Sequence, residues 1–418
     1  MKYTQFWYTI YREIKKAPFC GAKGIKMARF VYADNAATTS VLPEVVEAMN
    51  PVFLDTWGNP SSQHTKGYEA KEILDDSRAR IARVFNCRPD EVYFTSCGTE
   101  SDNWAIKGAA QLMRKKGRDH IVTTKIEHHA VLHTCAALER EGFRVTYVDP
   151  DSDGIVSAEA IRDAVTDKTA VVAVMFANNE IGTVQPIAEI AKIAHEKGAL
   201  MFTDAVQAVG NIKIDLSTLG VDMLALSGHK IHAPKGIGML YIKKGVRIAN
   251  LIDGGGQEKR RRGGTENLPY IVGLARALEI ADARIPELDA VRERRDRLIR
   301  ELTKIPYSKL NGSATERLAG NVNIGFEFVE GESILMWLDM AGICASTGSA
   351  CSSNSLDASH VLLAIGVPHE KAHGSIRLSI SHETTDEDVD YIIETLPPII
   401  ERLRALSPLW EDLNKNKK

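Results

Sequence analysis

No stretch of the 418-residue chain approaches the roughly 20 consecutive apolar residues that a membrane-spanning helix requires. Paired cysteines are lacking too. Six are scattered (Cys20, Cys87, Cys97, Cys135, Cys344 and Cys351) without one C-x-x-C pair. That scatter argues against a zinc ribbon or a disulfide framework and fits reduced thiols in the cytoplasm. The histidines lack H-E-x-x-H spacing, so no metal site is expected. A formal net charge of −3 gives no global attraction to nucleic acid or to a membrane surface. The basic run Lys259–Arg262 has no interleaved aromatics and reads as a solvated patch. Neither an internal repeat nor a low-complexity linker is present. Residues 1–26 are poor in acids, with six Lys or Arg against Glu13 alone, and five aromatics stand in the first eleven positions. They have no uninterrupted apolar core for a secretory signal and no serine for a transit peptide. They read as an appended or mobile tail, with Met27 as an alternative start.

What is present is a soluble globular composition, 44% hydrophobic and 26% charged, long enough for about two or three domains. From about residue 70 apolar strands alternate with amphipathic helices. Strands are predicted at Val92–Thr95, Ala170–Phe176, Leu200–Thr203 and Met223–Leu226, with helices at 68–84, 99–116 and 186–197. Such alternation predicts an α/β fold, a mostly parallel central sheet with helices on both faces. A long helical stretch over 269–302, broken near Ile285-Pro286, leads out of that sheet into a smaller α+β domain. The expected organisation is a segment 27–45 joining the small domain, a large domain over 46–285 and a small domain over 286–418.

In open parallel sheets ligands sit beyond the carboxyl ends of the strands, so the residues just after each strand matter most. Lys230, after an apolar strand and within Ser227-Gly-His-Lys, is a candidate amine nucleophile that can hold a carbonyl compound as a Schiff base. A lone strand-end lysine is more often simply solvated, and its company decides. Asp204 follows Leu200–Thr203; a carboxylate there needs a cation, and a pyridinium nitrogen would serve. Helix capping would explain it equally well. Gly98 and Thr99 open a helix whose free N–H groups suit a phosphate. Asn178-Asn179 follow another strand, where adjacent amides are more often turn formers.

With these residues in place, the chain resembles the cysteine desulfurases of the NifS/IscS type, a branch of the fold-type-I pyridoxal-phosphate enzymes. The resemblance covers roughly Tyr32 to Trp410. It rests on Asp34-Asn-Ala-Ala-Thr-Thr39, Gly58-Asn-Pro-Ser-Ser62, Phe94-Thr-Ser-Cys-Gly-Thr-Glu-Ser101 and Glu127-His128. It continues through Asn178-Asn-Glu-Ile-Gly182, Thr203-Asp-Ala-Val-Gln207, Ser227-Gly-His-Lys230, Arg262-Gly-Gly-Thr-Glu266, Gly348-Ser-Ala-Cys351 and Ser375-Ile-Arg-Leu378. So many ordered motifs seldom coincide by chance.

The resemblance implies that Lys230 carries pyridoxal 5′-phosphate and moves protons, while Asp204 holds the ring nitrogen protonated. His128 would stack on the ring and take part in acid–base chemistry, with Gln207 and Asn179 at the phenolic side of the cofactor and at the substrate. Gly98, Thr99, Ser227 and His229 would hold the phosphate, joined by Thr265 from a partner subunit in a homodimer. Arg377 would fork the substrate carboxylate.

Cys351 lies in Ser346-Thr-Gly-Ser-Ala-Cys-Ser-Ser-Asn-Ser355, a small, polar run that predicts a surface loop rather than a buried thiol. Cys97, Cys135 and Cys344 sit in apolar or helical stretches and read as small core side chains. A thiolate at Cys351 suits attack on the sulfur of L-cysteine, giving an enzyme persulfide and alanine, with sulfur passed to an acceptor or iron–sulfur scaffold protein. Selenocysteine lyase, cysteine sulfinate desulfinase and a non-catalytic docking partner in sulfur transfer are the rival readings. The carboxyl end is shorter than the tail that housekeeping members use to dock a scaffold.

Overall fold

The computed structural model describes residues 29–348 and 358–415. Twelve strands run in chain order: β1 Val31–Tyr32, β2 Val92–Thr95, β3 His120–Thr124, β4 Arg144–Val148, β5 Thr169–Ala173 and β6 Leu200–Asp204, then β7 Met223–Ser227, β8 Gly238–Ile242, β9 Ser308–Leu310, β10 Asn321–Phe326, β11 Ile343–Cys344 and β12 Ser375–Ser379. Seven form the central sheet in the order β2-β8-β7-β6-β5-β3-β4. Only β8 opposes its neighbours; the β7-β6-β5-β3-β4 pairings are all parallel. The expected mostly parallel sheet is therefore found. Its strands can be near-continuously apolar because both faces are covered: β2, β3, β5, β7 and β8 are buried at every position.

The helix Gly98–Arg114 presents Trp104, Ala105 and Ala109 to one face of this sheet, in a cluster with Phe202, Met223 and Leu240. The opposite face packs on a larger cluster that includes Leu74 and Ile81 of the helix Thr65–Val84 and Leu274 of the helix Leu268–Arg284. That last helix ends at a 3-10 turn, Ile285–Glu287, and the chain continues as the helix Leu288–Leu302. Pro286 removes a backbone donor at that point, which breaks the helix where the sequence reading expects it.

A second sheet, β12-β10-β9, is antiparallel and backs on a separate core built by Leu298, Phe326, Ile334, Ile376 and Leu396. Strand β1 pairs in parallel with β11, so the N-terminal segment is tied to this smaller unit before it crosses to the large sheet. One expectation is corrected. The strand predicted to run to Phe176 leaves its β3 neighbour after Ala173, although Val174 and Phe176 still donate to Phe202 and Asp204 carbonyls at 3.1 and 2.8 Å. The chain bends there because Ala177 pairs back with Val184.

Candidate active site

The carboxyl ends of β2, β3, β5, β6 and β7 open on one cavity of about 330 Å³. Lys230 enters from the 3-10 turn Gly228–Lys230 just after β7. Its Nζ donates to the carbonyls of Ala36 and Ala37 at 2.6 and 2.7 Å, and Gln207 Nε2 donates to Ala36 O at 3.0 Å. The Asp34–Thr39 motif thus serves the site through its main chain. Thr39 N–H and Thr39 Oγ1 both reach His229 O at 3.0 Å, which fixes the segment against the lysine turn.

Asp204 ends β6 and is 5% exposed. One carboxylate oxygen accepts Val206 N–H at 2.9 Å. Burial pushes its carboxyl above the ordinary range, against the opposing pull of that bond and of Lys230. Two further buried acids lie in the same region. Asp102, on the helix Gly98–Arg114, lines the cavity, and among the described residues one of its oxygens is without a hydrogen-bond partner. Burial first, then the Asp204 and Glu127 carboxylates, push its carboxyl up. Glu127 accepts from Thr124 Oγ1 and Met175 N–H at 2.7 and 3.0 Å, and burial raises it to about 8. Three acids in so dry a place cannot all be charged without a cation.

His128 caps the helix His129–Arg140, accepting Ala130 N–H on Nδ1 at 3.1 Å. Burial, reinforced by Lys230 and the neighbouring histidines, lowers its pKa to about 4. The ring is therefore neutral near pH 7 with its proton on Nε2. His229 is lowered to about 4 as well, by burial and then by Lys230 and Lys235, and its Nδ1 lies 3.1 Å from Thr38 Oγ1.

At the other end of the cavity, the amides of Gly98 and Thr99 precede the first intrahelical bond, Ser101 N–H to Cys97 O at 3.2 Å. Among the described residues they meet no hydrogen-bond partner and can serve an anion. A Cβ on Gly98 would stand 2.8 Å from Val206 Cγ2 and 3.4 Å from Ser227 Cβ, so only glycine leaves this cradle open. Glu100 does not intrude, because Ser96 N–H, Ser96 Oγ and Arg262 hold its carboxylate away.

The two asparagines divide their work. Asn178 makes the turn, its Oδ1 accepting Glu180 and Ile181 N–H at 2.8 and 3.0 Å, while Asn179 lines the cavity. Arg377, from β12, closes the cavity from the smaller unit. Nη1 donates to Asn179 O and Nη2 to Asp34 Oδ1, both at 2.8 Å, and the buried Nε–H has no partner among the described residues.

Ten of the residues expected at the site, Gly98, Thr99, His128, Asn179, Asp204, Gln207, Ser227, His229, Lys230 and Arg377, thus line one cavity. Thr265 does not. It lines a separate cavity of about 170 Å³ with Ser96, Gly236 and Arg262. Cys351 lies outside the described residues; Gly348, three positions before it, is in the cavity wall. Cys97 corrects its sequence reading, since it caps the helix at the cavity wall and is only half-buried, whereas Cys135 is buried and its thiol is pushed up to about 12. Asp34, Asp102 and Glu127 were given no role by sequence reasoning. Glu127 stands inside a quoted motif and Asp34 opens one, but a partner such as Arg377 cannot be read from spacing.

The chain fits pyridoxal 5′-phosphate at this cavity. A lysine amine, a buried carboxylate for a ring nitrogen, a neutral imidazole and a glycine-opened helix start converge there. The unpartnered oxygen of Asp102 also suits a cationic ring nearby. Residues 31–392 match the family model for class-V aminotransferases. A cysteine desulfurase IscS of Clostridium botulinum is 52% identical over 94% of this chain and 99% of its own length. That of Methanosarcina thermophila is 54% identical over 91% of this chain and 94% of its own. The solved structure of a NifS-like protein superposes with a TM-score of 0.85 at 39% identity, covering 90% of this chain and all of that one. The chain belongs to the class-V aminotransferase family, among its cysteine desulfurases.

Proposed function

We propose that the chain takes sulfur from L-cysteine, releases L-alanine and holds the sulfur as a persulfide on Cys351 before passing it to an acceptor. The observation that carries this reading is the shared cavity of Lys230 and Arg377, one able to meet the amino end of an amino acid and the other its carboxylate. Pyridoxal 5′-phosphate, held by Lys230, Asp204, His128 and the Gly98–Thr99 amides, supplies an electron-accepting ring that stabilises the charge left when the α-proton departs.

The chain's own groups do the rest. Arg377, pinned by Asp34 and Asn179 O, keeps Nε–H for the substrate carboxylate. Asn179 and Gln207 order the neighbouring polar atoms. Lys230 moves the α-proton, and neutral His128 offers Nε2–H as a donor beside the reacting atoms. From Gly348, three residues span at most about 10–11 Å, which brings Cys351 within range of the cavity. Its thiolate attacks the substrate sulfur. A sulfur–sulfur bond forms, the carbon–sulfur bond breaks, and its electron pair ends on the β-carbon, which is protonated on the way to alanine.

Thr265, placed apart from Lys230 within one protomer, is the residue we assign to the partner's phosphate site in a homodimer. The separate core of the smaller unit and the helix break at Ile285–Glu287 support a large body over 46–285 and a small one over 286–418, joined by 27–45. Among the described residues no helix is long and apolar enough to cross a membrane. We place the protein in the cytoplasm, donating sulfur to an iron–sulfur scaffold or thiolation acceptor.

The test is alanine and sulfide release from L-cysteine with a thiol reductant, for wild type and Cys351→Ser. Both products from the wild type and neither from a still-yellow variant support the reading. A variant as active as the wild type on L-cysteine overturns it. Greater wild-type activity on selenocysteine or cysteine sulfinate than on L-cysteine favours the lyase or desulfinase reading.

A further inference from the structure

Glu180 is 3% exposed, yet its carboxylate meets two chain positions on either side of the cysteine segment. Ser359 Oγ donates to Glu180 Oε2 at 2.5 Å, and the same hydroxyl caps the following helix by accepting Leu362 N–H at 3.2 Å. On the other side stands Gly348, with φ +94°; a Cβ there would lie 3.2 Å from the same Glu180 oxygen and 3.5 Å from its Cβ and Cγ. One carboxylate therefore bonds Ser359 and lies against Gly348, the last described residue before positions 349–357, while Ala358 alone separates that segment from Ser359.

The main chain of Glu180 is itself firmly held. Glu180 N–H donates to Asn178 Oδ1 at 2.8 Å, and Glu180 O accepts from Asn321 Nδ2 and Asn323 Nδ2, each at 3.1 Å. Its neighbour Asn179 takes Nη1–H of Arg377. Ser346, two residues before Gly348, exchanges backbone bonds with Arg377 at 3.1 and 2.5 Å, and its Oγ accepts Gly348 N–H at 3.0 Å. The feet of the segment and the carboxylate-binding arginine are thus fixed to one turn.

We propose that Glu180 is a positioning residue for sulfur transfer: it clamps Gly348 and Ser359 so that the intervening segment delivers its thiol to the substrate held at Arg377. This rests on the desulfurase reading above. The clamp serves the thiol's approach and not the cofactor's own chemistry. Burial favours a neutral or well-paired carboxyl, and the Ser359 hydroxyl, Arg377 and His129 are the groups that offset it. Loss of the clamp should leave removal of the α-proton intact and slow the step that needs Cys351, since misplacing a reacting group by about 1 Å can cost roughly a hundredfold in rate.

The experiment compares two rates in full-length holoenzyme for wild type, Glu180→Ala, Glu180→Gln and Ser359→Ala. One is exchange of the α-proton of L-alanine with deuterated water, followed by NMR, which needs no Cys351 thiol. The other is alanine release from L-cysteine with reductant, alongside the persulfide on Cys351 detected by mass. Glu180→Ala is expected to lose about tenfold or more in alanine release and persulfide formation, with exchange near the wild-type rate. Ser359→Ala should show the same split to a smaller degree, and Glu180→Gln, which retains an acceptor oxygen, should be the mildest. Equal loss of both rates, or loss of neither, overturns the proposal. Should Glu180→Ala fail to fold, Glu180→Gln and Ser359→Ala decide it by the same split. A wild type that exchanges the α-proton but releases no alanine from L-cysteine sinks the desulfurase reading instead, and the clamp's role with it.

Discussion

Arg377 and Asp34, 343 positions apart, form a partly buried ion pair with Nη2 donating to Oδ1 at 2.8 Å. The pair joins β12 to the turn after β1, whose Ala36 and Ala37 carbonyls hold Lys230. Arg377 and Lys230, the side chains proposed to meet the substrate carboxylate and the cofactor, are therefore both set by a single short stretch of chain. Asp34 has a cost as well as a use, because a fixed anion competes with an incoming carboxylate for the same guanidinium. Five donors in a planar fork resolve the conflict: Asp34 and Asn179 O take two, and the others remain.

That count makes Arg377→Lys an informative change. An ammonium has three donors in no fixed plane and cannot serve Asp34, Asn179 O and a substrate together. Loss of one charge-assisted bond costs about 1.5–3 kcal/mol, so KM for L-cysteine should rise roughly ten- to a hundredfold, with a smaller change in kcat. Steady-state alanine release measures both. An unchanged KM would show that the carboxylate is bound elsewhere.

Much of this was legible in the sequence, and the reason is local. Strand-terminal residues such as Asp204 and Lys230 follow apolar runs that identify themselves, and a parallel sheet brings such ends to one edge. Pro286 announced its helix break. What stayed hidden depends on contacts between distant positions. Asp34 acquires meaning only when β12 lies beside it, and Asp102 reads as an ordinary helix acid until its burial is known. The strand after Thr169 looked longer than it is because Val174–Phe176 are as apolar as the residues before them. Only the return of the chain at Val184 ends their pairing with β3. The consecutive left-handed residues Glu258, Lys259 and Arg260 carry no glycine to signal them. They are held by the buried Arg78–Glu258 pair, a contact across 180 positions.

Glu127 sets a pH dependence with a definite sign. Its carboxyl sits near 4.5 in the unfolded chain and is raised to about 8 by burial in the folded one. Between those values the folded state binds the proton and the unfolded state does not. The stabilising contribution is full below about pH 4.5 and is lost as pH rises through about 8. Cofactor-free protein should therefore become less stable from pH 5 to pH 8, by roughly a few kcal/mol from this group. Glu127→Gln keeps an acceptor for Thr124 and Met175 but cannot ionise, so it should flatten that slope and gain stability mainly at the alkaline end. Denaturant melts of the cofactor-free proteins at several pH values measure it; parallel slopes for the two proteins would assign the dependence to other groups.

Gly238 is the position where a single methyl should separate cofactor binding from general stability. It opens β8 opposite Thr95 and Ser227, and a Cβ there would lie 2.7 Å from the carbonyl carbon of Cys97 and 2.9 Å from its Cα and O. Those are backbone atoms of the residue that caps the helix Gly98–Arg114, so no side chain can swing aside to make room. Gly238→Ala must push the helix start, and with it the Gly98 and Thr99 amides, out of place. Overpacking of this kind costs about 1–3 kcal/mol in stability. The same shift should weaken the affinity for pyridoxal 5′-phosphate, measured by titrating cofactor-free protein and following absorbance. Gly245→Ala supplies the comparison: φ is +92° and nothing stands within 4 Å, so it should lose about 1–2 kcal/mol from backbone strain alone and keep its affinity. Equal affinity in the two variants would show that the cofactor's anionic end is not held at this helix start.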